Sequence, residues 1–286
     1  MRKVLLAGAS GSLGMEVAQK LLNSSIPFRA LVSSKESAKQ LDPYTKDVWI
    51  ADAQNVNELN GLCDGITHIF SSLGKSVSLF TNDHQDYEKI DYECNKNILS
   101  EAERAGTSRF VYSSILGSDA DNKLHLAQVH YKVQQLLKQS TLGYTVLKPT
   151  GFFSGLHDLV IMGKKGIIPV IGSGKFVTNP IHHTDLAQKV MELLWDGPEV
   201  VDVGGPEILS RKEIAKIIQK KTKGRIIYLP EVLVRSGLPI FSFFTKDLSQ
   251  NLDFFTYVTT RDMVAPNYGN HSFKEYIDQL NLEDLP

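Results

Sequence analysis

The sequence predicts an α/β fold: a doubly wound parallel sheet followed by a small C-terminal lobe that serves substrate binding. Three observations carry this. Short, almost wholly apolar runs recur through residues 1–150, the pattern of strands buried on both faces. Segments of helical periodicity separate them, and repeated strand–helix units give parallel strands joined by right-handed crossovers. Directly after the first apolar run, glycines fall at positions 8, 11 and 14, where a strand turns into a helix.

Taken in order, the first strand is Val4–Ala7. Its two basic flanking residues imitate a secretion signal, but the apolar run is only about five residues, short of the ~7–15 such a signal needs. Further strands are expected at Arg29–Val32, Val48–Ala51, His68–Ser71, Phe110–Ser113 and Tyr144–Leu147, with helices at Leu13–Leu22, Val56–Leu62, Tyr87–Ala105 and Val129–Ser140. Beyond Pro149 the stretch GKKGIIPVIGSGKFVTNP reads as turns and short strands. Helices resume at Asp185–Leu194 and Ser210–Lys221, where Ser210 and Glu213 have capping-box spacing. The expected division is a nucleotide-binding domain over 1–155 and a substrate lobe over 156–286, with about 176–204 rejoining the main sheet. The longest apolar stretch, Val232–Phe244, is broken by Arg235 and falls short of the ~20 residues of a membrane-spanning helix. It reads as core or as a partner-facing helix, so no membrane association is expected.

A formal net charge of −1 argues against a nucleic-acid partner. Cys63 and Cys94 have no metal-like spacing, and two thiols suit a reducing cytoplasm, a disulfide between them being the lesser alternative.

Gly8, Gly11 and Gly14 form a G-x-x-G-x-x-G turn. Glycine lets the backbone approach a diphosphate, whose charge meets a helix N-terminus. The turn residues Ser10, Ser12 and Leu13 join the cradle. The second strand ends in LVSSKES, with no acid before Glu36. An NAD site usually places an acid there for the ribose hydroxyl. Ser33, Ser34 and Lys35 suit a 2′-phosphate instead, so NADP(H) is favoured over NAD(H), although Lys35 also fits a solvated loop. Asp52, beside Ala53, either accepts from an adenine amino group or caps the following helix.

These motifs resemble the short-chain dehydrogenase/reductase superfamily, in its atypical NmrA-like branch. The resemblance rests on GASGSLG, IFSSLG (69–74), KIDYECNKNILSEAERAGTSRFVYSSILGSD (89–119), LGYTVLKPTGFFSG (142–155), NPIHHTDLAQKVMELL (179–194) and VVDVGGPEILSRKEIAKII (200–218), and so covers nearly the whole chain. It implies a Rossmann sheet of about seven strands. It also implies one of several activities: NADP-dependent reductase, quinone reductase, epimerase, or a cofactor sensor that turns nothing over. In the cofactor site it implies Ser71, Ser72, Leu73 and Gly74 after the fourth strand, Ser113 on the fifth, and Lys148, Pro149 and Phe152 near the nicotinamide.

Enzymes of this superfamily use a Tyr four residues before a Lys, whose charge lowers the phenol's pKa. Ser114 matches their substrate-holding serine. Alignment from LLKQSTLGYTVLKP puts His130 at the lysine position and Leu126 at the tyrosine position. Tyr131 and Lys132 are adjacent, so they diverge by about 100° on a helix and cannot copy that pair. Asp91 stands where many members carry an active-site Asn. His130 has three readings: contact with the nicotinamide ribose, as in quinone reductases with a His there; acid/base work; or a surface histidine beside His125. Tyr131 is retained as a displaced acid. Lys148 either orients a carbonyl or phosphate or caps the sheet end. Phe152 and Phe153 either wall the pocket or pack the core. His182, His183 and Asp185 fall short of a metal site, with Asp185 closing a loop.

Without the tyrosine, the expected reaction is hydride transfer from NADPH to a small electron-poor acceptor such as a quinone or enone. The alternative is a non-catalytic NADP(H)-sensing regulator acting through a protein partner. A nucleotide-sugar epimerase or dehydratase is the weakest reading. A homodimer is compatible with either of the first two.

Overall fold

The first apolar run sits at the middle of the sheet because it is covered on both sides. In a computed structural model, which describes residues 2–80, 86–232, 234 and 246–285, β1 (Val4–Ala7) is fully buried. The chain then runs through α1 (Ser12–Asn23), β2 (Phe28–Val32), α2 (Lys35–Leu41) and β3 (Val48–Ile50), and returns to β4 (His68–Ser71). α3 (Cys94–Arg104), β5 (Arg109–Ser113), α4 (His125–Gln139) and β6 (Gly143–Pro149) follow.

Seven parallel strands form the main sheet in the order β3-β2-β1-β4-β5-β6-β9, the last being Val200–Val203. The winding reverses between β1 and β4, and such a switch point opens a crevice at the strands' C-terminal ends. Two apolar cores flank the sheet. Val17, Leu21, Val111 and Val190 pack on one face, while Leu5, Ile98, Tyr112 and Val133 pack on the other.

Beyond β6 come α5 (His157–Lys164), β7 (Ile167–Ile171), β8 (Val177–Thr178) and α6 (His183–Leu193), which packs beside α1. β10 (Leu209–Ser210), α7 (Arg211–Thr222), β11 (Arg225–Leu229), α8 (Lys246–Thr259) and α9 (Phe273–Gln279) complete the described elements. β7 pairs in parallel with β11, and β8 antiparallel with β10. A third core joins Phe153, Val160, Ile214, Ile218 and Phe273. Ser210 and Glu213 close the capping box at the start of α7.

Three elements differ from the periodicity reading. Residues 56–62 hold only a 3₁₀ turn, Val56–Leu59, because tight turns follow at once. The helix expected over 87–105 opens with a π-helical stretch, Glu88–Glu93, before α3. α4 starts at His125, four residues earlier than its apolar stripe suggests, with Leu124 at its N-cap. The stretch 232–244 lies largely outside the described residues.

Candidate functional site

At the switch point a cleft of about 480 Å³ opens between the turn after β1 and the ends of β2, β3 and β4. Gly8 takes φ +77°, and a Cβ there would stand 2.9 Å from Leu73 N. A Cβ on Gly14 would stand 2.1 Å from the Gly8 carbonyl. Both glycines are therefore needed for the turn to nest between α1 and the β4 end. No side chain caps α1, and its first turn carries no acid. Its positive end thus faces the cleft without a built-in counter-charge, which fits a diphosphate.

Ser10 and Gly11 line this cleft; Leu13 is buried in the core, and Ser12 and Gly14 lie in the first turn of α1. Ser33 lines the cleft at the end of β2. Ser34 does not, because its hydroxyl accepts from Ser37 N and caps α2. Lys35 is the first residue of that helix. Asp52 and Ala53 line the cleft after β3. The capping alternative for Asp52 fails: its Oδ1 accepts from Gln54 N at 2.9 Å, and Asn55 caps the following turn. Sequence reasoning missed Gln54, a lining residue, and Asn97, whose amide donates to the carbonyls of Ala53 and Gln54. After β4, Ser72, Leu73 and Gly74 line the cleft, while Ser71 lies beneath them, donating to Asn95 Oδ1 at 2.6 Å.

Behind Gly74 lies a buried polar cluster. Asp91, on the π-helical stretch, accepts from Lys75 N at 3.0 Å, and a Cβ on Gly74 would meet its Oδ1 at 2.7 Å. His130 Nε2 stands 3.6 Å from Asp91 Oδ1. His130 Nδ1 is 2.6 Å from the Tyr112 hydroxyl, a partner the sequence did not suggest. His130 is only 6 % exposed, so the surface reading fails; it is also absent from the cleft lining and stands with Asp91 behind Gly74. Burial sets the electrostatics. It lowers His130 to about 4, raises Tyr112 well above 10, and raises Asp91 to about 7 against the pull of Lys75. At neutral pH the imidazole carries no charge, and the phenol keeps its proton.

Tyr131 is half-buried, does not line the cleft, and lies about a third of a turn away from His130 on α4. Lys132 turns outward to Glu88. Ser114 belongs to a separate buried group. Gln134 Nε2 donates to its hydroxyl at 3.2 Å and to Ser118 Oγ at 2.6 Å. Gln134 was missed by sequence reasoning, although its place one turn after His130 was the available signal. Ser113 is half-buried at the end of β5. Lys148 donates to Ser118 O and to Asp119 Oδ1 at 2.8 Å, so it ties down the turn after β5. Pro149 ends β6; Phe152 stacks on His183 at 4.5 Å, while Phe153 is core. Asp158, also missed, accepts from Ser78 Oγ and Leu79 N, both at 2.7 Å, and so straps the segment after Gly74 to α5.

Asp185 accepts from Asn270 N, His271 N and His271 Nδ1, closing the loop before α9, while His182 caps α6. Cys63 and Cys94 are free and buried on one face of the sheet, and Cys94 reaches the cleft. No helix among the described residues is long and apolar enough to cross a membrane.

Known proteins resemble this chain. The family described as NAD(P)H-binding matches residues 8–196, from the glycine turn to just past the end of α6. The photosystem II assembly factor Ycf39 of Cyanophora paradoxa is 28% identical over 154 residues, 54% of this chain but only 46% of its own. Its namesake in Guillardia theta is 25% identical over 95% of this chain and 89% of its own. An NAD(P)H azoreductase of Xenophilus azovorans is 24% identical over 74% of this chain and 71% of its own. The NADPH-dependent quinone oxidoreductase QOR2 of Escherichia coli, solved with NADPH, superposes with a TM-score of 0.74 at 18% identity, over 97% of this chain and 99% of its own. That likeness concerns the fold, a Rossmann sheet. The chain belongs to the NAD(P)H-binding family.

Proposed function

We propose that this NAD(P)H-binding chain is a reductase passing hydride from NADPH to a small electron-poor acceptor, a quinone, an enone or a similar carbonyl, without a tyrosine–lysine pair. The observation that carries the reading is the join between two features. A cleft fitted to a dinucleotide shares its Gly74 wall with a buried cluster whose imidazole is uncharged and whose phenol stays protonated at neutral pH. A simple ketone needs a positioned acid, whereas an electron-poor acceptor takes its proton from water. The azoreductase and quinone oxidoreductase among the similar proteins support that class of acceptor.

The bound dinucleotide would supply the hydride; the chain's own residues bind and orient. The amides opening α1 receive the diphosphate, with Ser10 and Gly11 lining the turn. Ser33 and Lys35 take a 2′-phosphate, and the absence of an acid before Glu36 favours NADPH over NADH. Asp52 faces the adenine end. Asp91, steadied by His130 and Tyr112, fixes the Gly74–Lys75 wall. Ser114, engaged by Gln134 and Ser118 in a buried group, is the serine that the resemblance assigns to the acceptor oxygen. Two buried free thiols suit a reducing compartment such as the cytoplasm.

A second reading, an NADP(H)-sensing regulator that binds a protein partner, is favoured by the lack of a tyrosine–lysine pair and by relatives named for assembly. Nicotinamide fluorescence during titration with NADPH and NADH tests the shared premise; binding of neither below millimolar concentration overturns it. A screen of quinones, enones and aldehydes for NADPH oxidation then separates the two. Turnover above the blank that falls in Ser114→Ala supports the reductase. Tight NADPH binding with no turnover supports the sensor.

A further inference from the structure

A second cleft, of about 860 Å³, opens between the turn after β5 and α8, with lining residues that include Asp121, Lys123, His125, Thr256, Tyr257 and Arg261. Buried polar atoms in folded proteins nearly always have partners. Among the described residues four buried side-chain atoms lack a hydrogen bond, and three of these, His125 Nε2, Thr256 Oγ1 and Arg261 Nε, belong to this one lining, His125 Nε2 standing 3.9 Å from Asp86 Oδ1. Thr256 is only 2% exposed. The Arg261 guanidinium carbon sits over the Tyr257 ring, 3.4 Å from its centre. Tyr257 is itself held by Asn122, whose amide donates to its hydroxyl at 2.9 Å. Contact with the ring holds the guanidinium in the cleft, and its unpartnered Nε can donate to a planar or tetrahedral oxyanion.

We infer that this second cleft binds a compact oxyanion, a carboxylate or a monophosphate, on Arg261. Lys123 adds a second positive charge at the rim, while Asp119 is already paired with Lys148 at 2.8 Å. Asp121 and Asp253 share the lining and oppose any ligand with several phosphates. The site is independent of the dinucleotide reading, because none of its residues lines the first cleft.

Calorimetric titration of the whole chain with sodium phosphate and with sodium acetate tests this, with hydrogen–deuterium exchange locating the bound ion. Saturable millimolar binding of either anion is expected, with slowed exchange over 117–125 and 253–261. Preference between the two anions identifies phosphate or carboxylate as the source. Loss of a charge-assisted bond in Arg261→Gln should weaken binding by about tenfold or more. Should that variant fail to fold, the exposed Lys123→Glu carries the same test and should weaken binding severalfold. No saturable binding, binding untouched by these substitutions, or slowed exchange confined to 8–14 would overturn the inference.

Discussion

The turn after β1 and the cluster behind Gly74 stand at the same end of the sheet and are built by opposite means. The turn is bare backbone: glycines at 8 and 14 remove side chains so that amides approach the cleft. The cluster is side chains, Asp91, His130 and Tyr112, drawn from three elements far apart in the chain and shielded from water. Backbone recognition fails by steric intrusion. The side-chain cluster fails by leaving a buried polar group unmatched, and so its failure depends on pH.

The harshest way to break the first half of the contrast is Gly14→Ala, which sets a methyl 2.1 Å from the Gly8 carbonyl. Overpacking of this kind costs about 1–3 kcal/mol. Displacement of the amides should add to that, so NADPH affinity is expected to fall by about a hundredfold, measured by nicotinamide fluorescence. A variant that binds normally would show that the turn has room to move.

The second half is tested by stability against pH. In Asp91→Asn, His130 is left with a folded pKa of about 4 against 6.5 unfolded, so the unfolded chain binds the extra proton between them. Stability should then rise from pH 4 to 6.5. In His130→Gln, Asp91 keeps a folded pKa of about 7 against 3.8, the folded chain holds the proton, and stability should fall over that window. Each slope approaches about 1.4 kcal/mol per pH unit. In the unaltered protein the two oppose each other, so denaturant midpoints should stay nearly level. Parallel slopes in both variants would show that the two groups do not share one buried site.

A smaller effect is expected on turnover. His130→Gln leaves the cleft lining intact and acts through Asp91, so kcat should fall less than about tenfold, with KM for NADPH rising as the Gly74 wall loosens. A loss of several orders of magnitude would make His130 a proton donor in its own right. The smallest change is Lys35→Ala. Removal of one exposed charge should lower the preference for NADPH over NADH by roughly threefold to tenfold, read from the two Kd values.

Much of the fold and the glycine turn after β1 were legible in the sequence, for a physical reason. Four-residue buried strands such as Val4–Ala7 announce themselves by continuous apolarity, and the glycine turn by spacing, because both are local. The π-helical entry to α3 was not legible, since its periodicity differs from an ordinary helix by one residue in a turn. Nor was the commitment of Ser34 to a helix cap, of Lys148 to Asp119, or of His130 to Tyr112.

The sequence alone determined a parallel α/β sheet with a glycine turn at its centre, because period, apolarity and glycine placement act within a few residues of themselves. The tertiary structure decided which polar side chains face the cleft and which are buried behind it. Those outcomes depend on strands and helices that meet only in the folded chain, where loss of water moves Asp91 and His130 in opposite directions.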